Sequence, residues 1–229
     1  VLVDAGVMDR RDQLGVEAIE VLKYKPGRRC VLAYGLHLRN ARTGAGSTGR
    51  VIGKVFRDER GGRLHALQQA LWQEGFGLRA SDQVVVPRSL GYVPEMRMQV
   101  QECAPGVTLN ELAADGPVLE PAVRCGQALA KLHHAPSPAF SGDGVSLQPY
   151  QLGDEAGRLD AYASTILDWR PDQAGRVLAL RNALGRWADG LPAPQALTLV
   201  HRDFYYSQVL FHRSQLTLID FDLLSLGDP

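Results

Sequence analysis

The sequence predicts an α+β fold in two lobes, an antiparallel β-sheet lobe with one helix followed by a mainly helical lobe. Three observations carry that expectation. Short apolar runs separated by Gly and Pro fill the chain up to Cys103, which is the pattern of strands. Apolar residues at helical spacing dominate from Pro117 to Leu191, the mark of amphipathic helices. From Leu199 to Pro229 the chain returns to strand, polar loop, strand, polar loop, and so delivers Asp203, Gln208, Asp220 and Asp222 into loops, where a rigid scaffold usually presents its chemistry. The expected division is a β-rich lobe over 1–103 and a helical lobe over 104–229.

Taken in order, residues 1–16 carry mixed charge and weak periodicity and read as a lead-in. Glu17–Tyr24 reads as a first strand and Lys25-Pro26-Gly27-Arg28-Arg29 as a tight turn. Cys30–Leu38 alternates as a second strand, Asn40–Arg50 (NARTGAGSTGR) reads as a Gly-rich hairpin tip, and Val51–Phe56 is a third strand with Lys54 in its middle. Arg63–Gln73 follows as a helix with Leu64, Leu67 and Leu71 on one stripe, ended by Gly75 and Gly77. Val84–Val86 is a short strand closed by Pro87, Tyr92-Val93 another extended piece, and Met96–Cys103 (MRMQVQEC) the last strand of the lobe. Leu109–Ala114 is a short helical piece. Pro117–His134 is the clearest helix, with Pro121 near its first turn. Residues 135–150 read as a loop, Arg158–Trp169 and Ala174–Leu191 as helices broken at Arg170-Pro171-Asp172, and 191–195 as a Pro-containing link. Val209–Phe211 and Leu216–Ile219 are short buried strands.

The 229 residues suit one large domain or two small lobes. Twenty-five Lys and Arg offset 25 Asp and Glu, and the isoelectric point is near 7.2. Bulk charge therefore favours neither nucleic acid nor an anionic membrane as a partner, and no apolar run is long enough to span a bilayer. Cys30, Cys103 and Cys125 show neither metal-ligand nor disulfide spacing, so a reducing, cytoplasmic setting is expected. The chain starts at Val1 and stops just after Gly227-Asp228-Pro229, and the helical lobe is expected to be truncated.

His201-Arg202-Asp203, then four residues, then Gln208, then Asp220-Phe221-Asp222 and Gly227-Asp228-Pro229 form one spaced series. It resembles the catalytic region of protein kinases and, more closely, that of the aminoglycoside phosphotransferase family. The resemblance implies a protein-kinase-like two-lobed fold and ATP-dependent transfer of the γ-phosphate to a hydroxyl of a small molecule such as an aminoglycoside, sugar or amino alcohol. It implies ATP and Mg2+ as cofactors. The alternatives are a nucleotide-binding pseudokinase with a scaffold or regulatory role, and a protein kinase.

Phosphoryl transfer asks a protein for positioning and charge compensation. By the resemblance, Asp203 is the base at the acceptor hydroxyl and Asp220 a ligand of Mg2+, a hard cation that prefers oxygen donors. Gln208 stands where Asn is usual and keeps a carboxamide oxygen for the metal. Asp222 replaces the kinase Gly and is a second metal ligand or a structural acceptor. Lys54 takes the place of the lysine that pairs the phosphates and a helix glutamate. The centre of the helix offers only Gln68 and Gln69, which leaves Glu74 on its last turn, since Glu59 is too near Lys54 along the chain. Arg28 and Arg29 lie in the phosphate-covering turn, where backbone amides also hold oxygens, although only Gly27 remains of a G-x-G-x-x-G pattern. Backbone groups around Gln101, Glu102 and Cys103 would meet the adenine edge. His201 is expected to brace the loop. Without the resemblance, the basic turn is a solvated hairpin, Lys54 an outward lysine and the loop acids turn formers.

Overall fold

The structure is a computed structural model and describes residues 1–136, 145, 147–192 and 196–229. The expected loop over 135–150 and link over 191–195 lie partly outside the described residues.

In chain order the strands and helices are β1 Gln13–Lys25, β2 Arg29–Arg39, β3 Gly46–Phe56, α1 Arg60–Leu71, β4 Val84–Val85, β5 Ser89–Val93, β6 Met98–Glu102, β7 Val107–Thr108, α2 Leu109–Asp115 and α3 Leu119–His134. Then come α4 Leu152–Trp169, α5 Ala174–Asp189, β8 Thr198–Val200, β9 Val209–His212, β10 Gln215–Leu218 and β11 Ser225–Gly227. A five-stranded sheet has the order β1-β2-β3-β6-β5, a second sheet the order β4-β10-β9-β7, and β11 pairs with β8. The α+β, protein-kinase-like reading holds: an antiparallel sheet carries α1, and the helices follow.

The meander is longer than its apolar content suggests. β2 and β3 pair without a break from Arg29↔Phe56 to Arg39↔Gly46, so residues 46–50 are strand and the hairpin tip shrinks. Asn40 shapes that tip, its side chain accepting hydrogen bonds from the Arg42 and Thr43 N–H groups at 3.1 and 2.9 Å. Ladder hydrogen bonds to a neighbouring strand override the low strand propensity of Gly and Ser here. β1 likewise begins at Gln13, four residues before the expected strand, and Val1, Leu2 and Ala5 pack on Leu90, Met98 and Val100.

α1 starts earlier than its leucine stripe, at Arg60, where the Asp58 carboxylate accepts the Arg60 N–H at 3.2 Å. After Leu71 the helix widens into a π-helical turn at Trp72–Phe76, with Gly75 at φ +91°. That turn places Phe76 fully inside the core. Lys131 of α3 holds the segment from the other lobe: its Nζ donates to the Gly75 carbonyl at 2.8 Å, to the Val84 carbonyl at 2.9 Å and to Asp82 at 2.8 Å.

β4 lies next to β10 in parallel, with Leu216↔Val84 and Thr217↔Val85. One core cluster therefore runs from Phe56, Leu64, Leu67, Leu71 and Phe76 through Val84 to Leu132, Leu199, Leu216 and Leu218. This continuous core sets the first sheet over the loops that end β8 and β10. α2 is started by a capping box, in which Thr108 and Glu111 satisfy each other's backbone N–H groups. α4 begins at Leu152, six residues before the apolar pattern predicts, because Gln151 and Asp154 form another such box. Among the described residues no helix is long and apolar enough to cross a membrane.

Candidate active site

Strand pleating puts the first two site residues on one face. Val31 pairs with Lys54 and Arg29 with Phe56, and residues two apart share a side of a sheet. Arg29 and Lys54 therefore point the same way, toward the face where Phe56 joins the core. Lys54 is 8% exposed, so the outward-lysine reading fails.

Opposite them, two loops are held in left-handed backbone. Arg202 has φ +62° and Asp220 φ +66°, a conformation that costs non-glycine residues on the order of 1–3 kcal/mol and collects at functional sites. The surroundings hold Asp220 there. The Ile219 N–H donates to the Gln208 carbonyl at 3.0 Å, and His201 Nε2 donates to the Ile219 carbonyl at 3.0 Å. The His201 ring packs against Phe204 and Phe221. His201 thus braces one loop against the other. Burial pushes its pKa below 6.5, opposed in part by the Ile219 contact, which keeps the ring neutral.

The two halves meet in a charge quartet. Arg29 makes a fork to Asp220, Nη1 to Oδ1 and Nη2 to Oδ2, both at 2.9 Å, and its Nη1 also donates to Asp222. Lys54 Nζ lies 3.2 Å from Asp220 Oδ1 and 3.5 Å from Asp222 Oδ1. Gln208 Nε2 donates to Asp220 Oδ2 at 3.3 Å. Burial works to raise the Asp220 pKa, but the charges of Lys54 and Arg29 outweigh it and hold the carboxyl well below 3.8. Burial also disfavours the Arg29 cation, and Asp220 and Asp222 more than restore it.

Beside the quartet is a cavity of about 470 Å3. Asp203 and Asp222 line it from below, and Arg28, Arg29 and Gly27 from the turn above. Phe56 and Leu223 also line it, as do Lys25, Arg57, Asp58 and Arg60. The last three were not singled out in the sequence. Their signal was the charged run Arg57-Asp58-Glu59-Arg60 directly after β3. Arg202 stacks on Tyr150, its guanidinium 3.2 Å from the ring centre.

One other site expectation ends up elsewhere. Glu74 sits half-buried on the π-helical turn, and Lys54 makes its ion pairs with Asp220 and Asp222 instead. Gln68, buried at the middle of α1, donates to the Pro87 carbonyl at 2.5 Å and accepts from Gln99 Nε2 at 2.8 Å. Gln101 and Glu102 end β6 and Cys103 follows it, and the Glu102 N–H is bonded to the Arg88 carbonyl at 2.9 Å. Asp220, Asp222 and the Gln208 carboxamide offer hard oxygen donors of the kind Mg2+ takes. Their chemistry fits that ion once the carboxylate oxygens are released from Arg29 and Lys54.

Comparison with known proteins identifies the family and the fold. The family model described as phosphotransferase enzyme family matches residues 31–229. A thermostable mutant of aminoglycoside phosphotransferase APH(4)-Ia, solved with AMP-PNP and hygromycin B, aligns with a TM-score of 0.62 at 17% identity over 100% of this chain and 71% of that one. Macrolide 2'-phosphotransferase MphH from Brachybacterium faecium aligns at 0.55 and 17% identity over 100% and 72%. A choline/ethanolamine kinase family protein from Mesorhizobium loti aligns at 0.51 and 16% over 93% and 60%. At these identities the likeness is one of fold. Among curated proteins none matches.

Proposed function

The chain belongs to the phosphotransferase enzyme family, whose model covers it from residue 31 to 229, and on that premise we propose that it moves the γ-phosphoryl group of ATP to a hydroxyl of a small molecule. The observation that carries this reading is the cavity between the lobes, where Asp203 faces the basic turn and Arg29, Lys54, Asp220 and Asp222 gather beside it. Arg28 and Arg29 bind phosphate oxygens with the amides of the turn, and Lys54 binds the phosphates from β3. Asp203 orients the acceptor hydroxyl and takes its proton as the oxygen attacks phosphorus. Asp220, Asp222 and Gln208 hold Mg2+, which when bound neutralises charge on the phosphates. Backbone at Gln101–Cys103 receives the base. The lobes divide near Cys103, and the compartment is the reducing cytoplasm, in keeping with free thiols at Cys30, Cys103 and Cys125.

The experiment is Asp203→Asn. Acceptor-dependent ADP release is expected to fall by about 10²–10⁴, the contribution of a general base, while calorimetric MgATP affinity stays near that of the unchanged protein. Equal loss of binding and turnover removes Asp203 from the base role. Nucleotide binding without phosphoryl transfer to any hydroxylated acceptor would favour the pseudokinase reading.

A further inference from the structure

We infer that Arg29 closes the metal-binding carboxylates and that a nucleotide's phosphates open them, so that this chain takes up metal with nucleotide and resists metal alone. The inference rests on the proposed reading of Asp220 and Asp222 as metal ligands.

All four oxygens of the two carboxylates are engaged. Asp220 Oδ1 accepts from Arg29 and Lys54, and Asp220 Oδ2 from Arg29 and Gln208. Asp222 Oδ1 lies with Lys54 and Oδ2 with Arg29. A hard divalent cation needs those same lone pairs. The quartet is also neutral as it stands, two cations against two anions. A metal ion arriving alone would add two positive charges beside Arg29 and Lys54, and would strip both of partners in a part-buried site. Uncompensated charge in such a place is costly.

The cause lies in α1. Its central Gln68 is neutral and spent on Pro87 and Gln99. Glu59 is spent on Arg97 and Tyr92. Among the described residues Lys54 therefore has no helix carboxylate, and its ion pairs go to Asp220 and Asp222 alone. Phosphate changes the balance. It accepts the guanidinium fork as well as a carboxylate does, and Arg29 ends the turn that lines the cavity. Arg29 can then pass from carboxylate to phosphate with an ion pair kept throughout, and the carboxylates are free for the metal that travels with the nucleotide.

The test uses Mn2+ as a paramagnetic probe, with free ion read by electron paramagnetic resonance, on the unchanged protein and on Arg29→Gln. Without nucleotide, Arg29→Gln is expected to bind Mn2+ about tenfold or more tightly than the unchanged protein, since one competing charge a few ångströms away is gone. The same variant is expected to bind ADP more weakly in EDTA. Opposite signs for metal and nucleotide are the signature, because a purely structural role for Arg29 would weaken both. Arg29→Lys keeps the charge but not the fork and should fall between; it carries the comparison if Arg29→Gln fails to fold. Mn2+ affinity that is unchanged or weaker without its guanidinium overturns the inference. Adding Asp220→Asn separates the two claims. If Mn2+ uptake with nucleotide survives that change, the metal-ligand reading itself fails; if it is lost while the Arg29 variants gain no Mn2+ affinity, only the gate fails.

Discussion

Asp220→Asn is expected to destabilise the fold as well as to impair the site. The carboxylate accepts four contacts, two from Arg29 and one each from Lys54 and Gln208, and its side chain is 11% exposed. An amide of the same shape turns one acceptor into a donor that faces two cations, with Asp222 left to balance both. Breaking a buried pair from one side costs about 3–5 kcal/mol. Water reaches this site through the adjoining cavity, so the low end, about 3 kcal/mol, applies. For a chain of this size that is a fall of roughly 6–12 °C in Tm, measurable by circular dichroism or calorimetry. The pH dependence has a fixed sign. The folded-state pKa of Asp220 lies below its ordinary 3.8, so its contribution is complete above the unfolded value and is lost as pH falls through the folded one. The gap between the two proteins should be full at neutral pH and should narrow below about pH 4. An unchanged or higher Tm for Asp220→Asn at neutral pH would refute the charge-balance argument.

Gly106 sits at φ +115°, and a Cβ there would lie 2.4 Å from the Phe211 carbonyl oxygen. Gly106→Ala should therefore cost at least about 2 kcal/mol from backbone strain and displacement of β9, read as a lower urea midpoint; a midpoint equal to that of the unchanged protein contradicts the close approach. His201 is buried and neutral, with its pKa held below 6.5. The unfolded chain then binds the proton more readily, and stability should fall as pH drops through about 6.5. His201→Gln should flatten that slope, and an identical slope would show that the ring does not contribute to it.

Much of the fold could be read locally, because local pattern decides it. Lys54 is flanked by Ile52, Val55 and Phe56, and it does lie in a central strand facing the core. The leucine stripe of α1 is buried where its spacing puts it, whereas in α3 burial is confined to Cys125, Ala128 and Leu132, and Val118 and Val123 are exposed. Element ends differ from the apolar pattern where something other than apolar content sets them. The ladder between β2 and β3 recruits Gly46–Arg50, the Asp58 carboxylate takes the Arg60 N–H at the start of α1, and the capping box at Gln151 starts α4 early. The parallel partnership of β4 with β10 joins residues far apart in the chain, and two valines carry no sign of direction.

The site divides in the same way. The loop acids and Lys54 announce themselves by spacing. The meeting of Arg29 with Asp220 spans 191 positions and depends on the parity of β2 against β3, which a turn signal at Lys25–Arg29 does not reveal. Gln68 was visible as a missing acid, but its engagement with Gln99 and Pro87 came only from the packing of α1 on β6.

The most direct test of the central claim is a calorimetric titration of the unchanged protein with ATP, with and without Mg2+. A nucleotide site built on Lys54, Asp220 and Asp222 predicts saturable binding that strengthens when Mg2+ is present. Absence of saturable binding under either condition would contradict the assignment of this cavity to phosphoryl transfer.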